Sequence, residues 1–194
     1  MKRLLLFASL TLAAQDPASL TALLRNAPVV HAEFTQTRTL AALSRPLKAS
    51  GSLVLARDQG VIWELRKPAA ITYVMGPKGL LVVTGDGQRS RKSAREAPVV
   101  AQLGRVFAAL IQGDLTGLGE FFTVTGSGNP ERWELVLRPK AQTAAFLKRV
   151  QLNGGRSIER LRIEEPGGDH MELSFEHPRL DAPLTGPEAS LLAF

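Results

Sequence analysis

Ser50-Gly51-Ser52-Leu53-Val54-Leu55-Ala56-Arg57, then Asp58-Gln59-Gly60, then Val61-Ile62-Trp63-Glu64-Leu65-Arg66 is the stretch that decides the fold. Two runs rich in β-branched, aromatic and leucine side chains flank three turn-forming residues. A connection this short joins antiparallel neighbours, because a parallel crossover needs a dozen residues or more. In the second run Val61, Trp63 and Leu65 point one way, and Ile62, Glu64 and Arg66 the other. That alternation predicts a sheet with one apolar face and one wet face.

The same rhythm continues in both directions. Upstream, His31 to Arg38 reads as a strand; downstream, Ile71 to Met75 and Gly79 to Thr84 follow, punctuated by Lys67-Pro68 and Gly85-Asp86-Gly87. Strands resume at Phe121 to Thr125, Trp133 to Arg138, Lys148 to Asn153, Ile158 to Glu165 and His170 to Glu176. Their turn signals are Gly126 to Pro130, Gly154-Gly155 and Pro166-Gly167-Gly168. Trp133, Leu135 and Leu137 oppose Arg132, Glu134 and Arg138, and Leu161 and Ile163 oppose Arg160, Arg162 and Glu164. Met171, Leu173 and Phe175 likewise oppose His170, Glu172 and Glu176.

Helical periodicity occurs twice. Asp16-Pro17 supplies a cap and a first-turn proline, Leu20, Leu23, Leu24 and Ala27 recur at helical spacing, and Pro28 stops the run. From Pro98 to Gln112, Val99, Val100, Leu103, Phe107 and Leu110 form one apolar stripe, weakened by Gly104. The tail from His177 to Phe194 carries Pro178, Pro183 and Pro187 and reads as irregular, with room for an edge strand at its end.

The proportions pose a problem. A helix is roughly 10 Å wide and strands lie about 4.8 Å apart, so each helix covers about two strands. About ten strands present an apolar face, and two helical segments cannot bury it. Either the sheet closes into a barrel filled by its own side chains, or part of the apolar face lines a cavity.

The 194 residues suit one domain, and 44% hydrophobic with 22% charged residues excludes a disordered chain. Met1-Lys2-Arg3 is a basic start, Leu4 to Ala14 is almost unbroken apolar sequence, and Gln15-Asp16-Pro17 follows. This order predicts a secretory signal peptide over residues 1–14, with the mature domain at 15–194; the alternative is an N-terminal helix packed on the domain. Removing the signal lowers the formal charge from +6 to +4. There is no cysteine, which removes disulfides, thiol catalysis and lipidation on cysteine. The expectation is an exported soluble protein, in the periplasm of a bacterium with an outer membrane.

Signatures of chemistry are missing. His31, His170 and His177 stand apart from one another, without metal-ligand spacing, and no nucleophile elbow or phosphate-binding loop occurs. We expect no enzyme, no cofactor and no metal. Arg89, Arg91, Lys92 and Arg95 form a basic cluster, either a docking patch for an anionic surface or acidic partner, or a solvated loop. Without interleaved aromatics it does not suit nucleic acid.

Phe34-Thr35-Gln36, the Gly51-Ser52-Leu53 strand ending in Arg57, then Trp63 and Pro68, and later Leu135-Val136-Leu137-Arg138-Pro139-Lys140, together resemble the periplasmic outer-membrane lipoprotein carriers, the LolA family. The ordered set spans most of the mature chain. The resemblance implies a mainly β, α+β fold: a curved, open antiparallel half-barrel of about eleven strands, with a helical lid over a hydrophobic cavity. It implies a monomeric carrier of acylated lipoprotein or other acylated or polyene lipid. An inner-membrane export complex would be the donor and an outer-membrane receptor the acceptor. Arg57 falls on the arginine that latches the lid, or is simply an arginine at a strand end, and Trp63 falls on an aromatic of the cavity. Phe34, Leu53, Leu55, Val61, Leu65 and Tyr73 are assigned to the same lining. Leu103, Phe107 and Leu110 come to it from the lid, and Trp133 and Leu135 from the far strands. Where the family commonly has proline after the latch arginine, Asp58 stands here. A second reading is a lipid-sensing or partner-binding module using the same half-barrel.

Overall fold

Eleven strands form one sheet in which every neighbouring pair is antiparallel. The computed structural model describes residues 16–21, 27–93, 96, 109, 115–180 and 182–194. The strands are β1 (Val29–Thr39), β2 (Leu47–Ala56), β3 (Gly60–Lys67), β4 (Ile71–Gly76), β5 (Gly79–Thr84) and β6 (Arg89–Ser93). The second half holds β7 (Phe122–Asn129), β8 (Arg132–Pro139), β9 (Arg149–Gly154), β10 (Ile158–Glu164) and β11 (His170–Leu180).

Spatial order is β6-β5-β4-β3-β2-β1-β11-β10-β9-β8-β7. Two meanders are therefore joined through their outer members in sequence, β1 and β11, while β6 and β7 are the two edges of an open sheet. Short turns explain the pairing inside each meander. The central β1–β11 ladder has no such local cause. It sets Phe34 opposite Phe175 and Gln36 opposite Leu173, with a register shift between His31 and Glu33.

Sequence periodicity located ten of these strands and missed β6. Arg89-Ser90-Arg91-Lys92-Ser93 has no apolar residue, so it carries no alternation; it is held by its backbone ladder to β5. The basic cluster is thus largely an edge strand rather than a loop, and charged edges of this kind resist pairing with other chains. β7 likewise continues through Gly126-Ser127-Gly128, which had read as a turn.

Short helical pieces complete the chain. α1 (Pro17–Leu20) starts at Asp16, whose Oδ1 accepts from the Ala18 amide at 3.1 Å. A 3-10 turn spans Thr116–Glu120, and α2 covers Ala141–Ala144. α3 (Gly186–Leu192) lies in the tail that the prolines had marked as irregular. Thr185 and Glu188 form a reciprocal capping box there, and Pro187 sits in the first turn, where its missing amide hydrogen does no harm. The helical zone at Pro98 to Gln112, including Gly104, falls outside the described residues except for Ala109, which is helical.

The core has two parts on opposite faces. On the inner face one cluster runs from Val61 on β3 through Leu53, Phe34 and Phe175 to Leu161, Leu152 and Trp133. On the outer face Val54, Ala56, Ile62, Val74 and Leu81 are buried beneath Leu192 of α3, with Leu191 and Phe194 packed alongside. This corrects the expectation of one wholly wet face. The outer face is wet over β8–β11, where Arg162 bridges Glu164 and Glu172, but apolar over β2–β5. Leu53 to Ala56 are consequently all buried, although their side chains alternate.

Candidate functional site

The inner face gathers most of the residues that the sequence assigns to a lining. Leu53 pairs with Trp63 and Leu55 with Val61 across β2–β3, and Trp63 pairs with Tyr73 across β3–β4. Successive steps of two along these strands keep Leu65 and Phe34 on the same side. The Phe34 and Trp63 rings meet with centroids 4.2 Å apart and planes tilted by 34°. Gly51 makes this corner. The β2–β3 register shifts between Ser50 and Gly51, and a Cβ at Gly51 would lie 1.8 Å from the Glu64 carbonyl oxygen. Trp133 and Leu135 join the same cluster from β8, and the Trp133 indole donates to the Gly155 carbonyl at 2.8 Å.

These residues differ in what they touch. Phe34, Leu53, Leu55, Val61, Trp133 and Leu135 are buried, whereas Trp63, Leu65 and Tyr73 are half-buried. The wetter group lies on β3 and β4, on the β6 side of the sheet. Leu103, Phe107 and Leu110 lie outside the described residues.

What covers the inner face is assembled from chain segments that the sequence only partly indicated. Leu20 of α1 is buried in the cluster and packs on β7, where a Cβ added at Gly126 would lie 2.7 Å from Leu20 Cδ1 and 3.3 Å from Pro17 Cα. That glycine, which looked like a turn residue, lets the helix approach the strand. Leu118 and Phe122 are buried beside it, and Ala109, Leu115 and Phe121 pack against the same cluster. Among the described residues a small cavity of about 20 Å³ lies between Val30, Ala32, Leu53, Ile158, Phe175 and Leu180, room for about one water molecule.

Arg57 stands just beyond the end of β2. Its guanidinium Nη2 donates to the Ala27 carbonyl at 3.3 Å, and its backbone amide donates to the Pro28 carbonyl at 2.9 Å. Ala27 belongs to the inner cluster, so Arg57 ties the sheet to the segment that leads from α1 into β1. The turn after it is tight: Asp58 adopts a left-handed φ of 64°.

The basic cluster is exposed throughout its described part. Arg89, Arg91 and Lys92 lie on β6, Arg91 sits 5.9 Å over the Phe194 ring, and Arg95 is outside the described residues. Among the described residues no group of carboxylates, histidines and cysteines could hold a metal ion, and no helix is long and apolar enough to cross a membrane.

An open antiparallel sheet of eleven strands, with short helical segments packed on its apolar inner face among the described residues, defines the half-barrel fold class. The chain belongs to the LolA-like family: the family model described as "outer membrane lipoprotein carrier protein LolA-like" matches residues 11–169. Among curated proteins none matches the chain. Solved structures share the fold at low identity. The MucA/MucB complex of Pseudomonas aeruginosa matches with a TM-score of 0.50 and 12% identity, over 91% of this chain and 60% of that one. A LolA superfamily protein of Nitrosomonas europaea matches with a TM-score of 0.48 and 11% identity, over 86% and 93% of the two chains. A putative outer membrane lipoprotein-sorting domain of Vibrio parahaemolyticus gives 0.46 and 9%, over 91% and 97%.

Proposed function

We propose that this protein is a periplasmic carrier, exported by a signal peptide at residues 1–14, that shelters acyl chains against its inner sheet face. Its cargo would be lipoproteins or another acylated lipid, taken from an inner-membrane export complex and passed to an outer-membrane receptor. The supporting observation is the continuous apolar face from β3 to β8, against which, among the described residues, α1, the 3-10 turn and Ala109 pack. Membership of a family of carrier proteins points the same way, to binding rather than catalysis.

Energetics favour a cover of this kind. Burying a methylene contributes about 0.8 kcal/mol, so a ~16-carbon chain gains on the order of 12 kcal/mol. A carrier that bound with all of that could not release its cargo. If the empty protein packs its own cover against the face, cargo must displace it, and the apparent affinity falls by the fraction of molecules that stand open. Arg57 would act as a latch, because guanidinium stays charged and offers five donors to backbone carbonyls.

The test is lipid extraction and native mass spectrometry of protein purified from the periplasm, with a fluorescent fatty-acid probe in parallel. Co-purified acyl species and saturable probe binding are expected. A protein that carries no lipid and binds no probe is not a carrier, and turnover of an ester substrate by pure protein would replace the binding role with an enzymatic one. The second reading, a partner-binding module, draws on the MucA/MucB complex as a protein assembly on this fold. Stable capture of a protein partner by lipid-free protein would favour it.

A further inference from the structure

Four large hydrophobic side chains are exposed among the described residues: Leu43 (46%), Leu47 (51%), Phe146 (75%) and Leu180 (39%). Three of them stand at one end of the sheet. Leu43 and Leu47 flank the tip of the β1–β2 connection, and Phe146 lies in the β8–β9 connection just after α2. The ladders fix this placement. Thr39 pairs with His170, His170 with Glu164 and Glu164 with Arg149, so the end of β1, the β10–β11 turn and the start of β9 form one row. Strand spacing puts β1 and β9 roughly 15 Å apart along that rim.

Both connections are tied down. The Ala41 amide donates to Asp169 Oδ1 at 2.7 Å, and the Lys148 amide donates to the Glu164 carbonyl at 2.7 Å. The apolar tips are thus held outward on anchored loops.

Charge on the rim is net positive. Glu164 is taken up by Arg149 at 2.8 Å and Arg162 at 3.1 Å, Glu165 by Arg38 at 3.1 Å, and Asp169 by the Ala41 amide. Asp86, in the β5–β6 turn at the same end, accepts from the Thr84 hydroxyl and the Gln88 amide; these neutral donors leave it charged, as the amide leaves Asp169, so both count with Glu120 against the cations. Among the described residues Arg45, Lys48, Lys67 and Lys148 have no carboxylate within 4 Å. Leucine and phenylalanine tips between unpaired cations match a lipid interface: apolar groups enter at the acyl boundary while ammonium and guanidinium groups stay among anionic headgroups. A second copy of this chain would bring like charge against like charge.

We propose that the β1–β2 and β8–β9 connections form a docking rim that seats this end of the protein on an anionic lipid bilayer. Docking of this kind is independent of an acyl chain on the inner face, so a protein that fails to carry cargo could still dock, and the reverse.

The experiment is co-sedimentation of the chain lacking residues 1–14 with vesicles of phosphatidylcholine alone or of equimolar phosphatidylcholine and phosphatidylglycerol. Binding to the anionic vesicles is expected, screened by salt. Lys48→Glu and Lys148→Glu should weaken it by about fivefold each or more. The triple variant Leu43→Ser, Leu47→Ser, Phe146→Ser should fall to the level of neutral vesicles with an unchanged circular dichroism melt, since these side chains are exposed. The proposal is overturned if the wild type ignores anionic vesicles, if it binds both compositions equally, or if the folded triple variant binds like the wild type. Capture of an acidic protein by this rim in the absence of vesicle binding would also overturn it, assigning the surface to a protein partner.

Discussion

His31 on β1 and Glu188 on α3, 157 positions apart in sequence, meet with 3.3 Å between Nε2 and Oε2. The same carboxylate oxygen accepts from the Thr185 amide at 2.7 Å, so one side chain both caps the C-terminal helix and fastens it to the outer face of the sheet. His31 Nδ1 is buried and has no hydrogen-bond partner among the described residues, so the ring is anchored through Nε2. Replacing Glu188 by alanine removes cap and anchor together. A loss of about 1–2 kcal/mol in denaturant unfolding is expected, together with faster amide exchange over residues 186–192. Unchanged exchange there would mean that Leu191, Leu192 and Phe194 hold the helix by packing alone.

Acid should weaken the protein in a defined window. Arg149, by a direct hydrogen bond, holds the Glu164 carboxyl below its usual range; burial opposes it, and Arg162 adds to the lowering. At Glu188 burial pushes upward, but the Thr185 amide and hydroxyl and His31 outweigh it, so this group is lowered too. A carboxylate with a depressed folded-state pKa contributes fully above its unfolded value, about 4.3, and loses that contribution as pH falls through the folded value. The melting temperature should therefore hold from neutrality to about pH 5 and drop below it. In Glu164→Gln the drop should be smaller; an identical profile would remove this carboxylate from the acid response.

Arg57 offers a kinetic prediction. Arg57→Leu deletes the bond to the Ala27 carbonyl at little cost in stability, about 0.5–1.5 kcal/mol, because the site is half-buried. If that bond helps hold the cover closed, a fatty-acid probe will be released more slowly from the variant than from wild type. Stopped-flow displacement measures this directly, and equal release rates would leave Arg57 as an ordinary strand-end residue.

The two tryptophans should report differently on a guest. Trp63 is half-buried against Phe34 on the inner face, whereas Trp133 is 2% exposed and bonded to Gly155. Acyl binding should shift the emission of the wild type and of Trp133→Phe, and leave that of Trp63→Phe nearly unchanged. The reverse pattern would move the guest to the far strands.

The strands could be read from the sequence because their cause is local. Gly79–Thr84 lies between the bounds that alternation and flanking turns assign, and Val61, Trp63 and Leu65 face inward as their period requires. Elements without a hydrophobic period escaped that reading. β6 is entirely polar, and α3 follows prolines that suggest irregular chain, although Thr185-Gly186-Pro187-Glu188 carries a capping-box signal.

The sequence by itself determined which residues alternate and which strands turn back on their neighbours, since both depend on contacts a few residues apart. Only the tertiary structure decided that β1 pairs with β11, that α3 turns Val54 and Ile62 from wet positions into buried ones, and that Leu43, Leu47 and Phe146 share one end. Those outcomes rest on pairings between distant segments, whose register is set by the burial and backbone bonding of the whole sheet and leaves no mark in any short window of sequence.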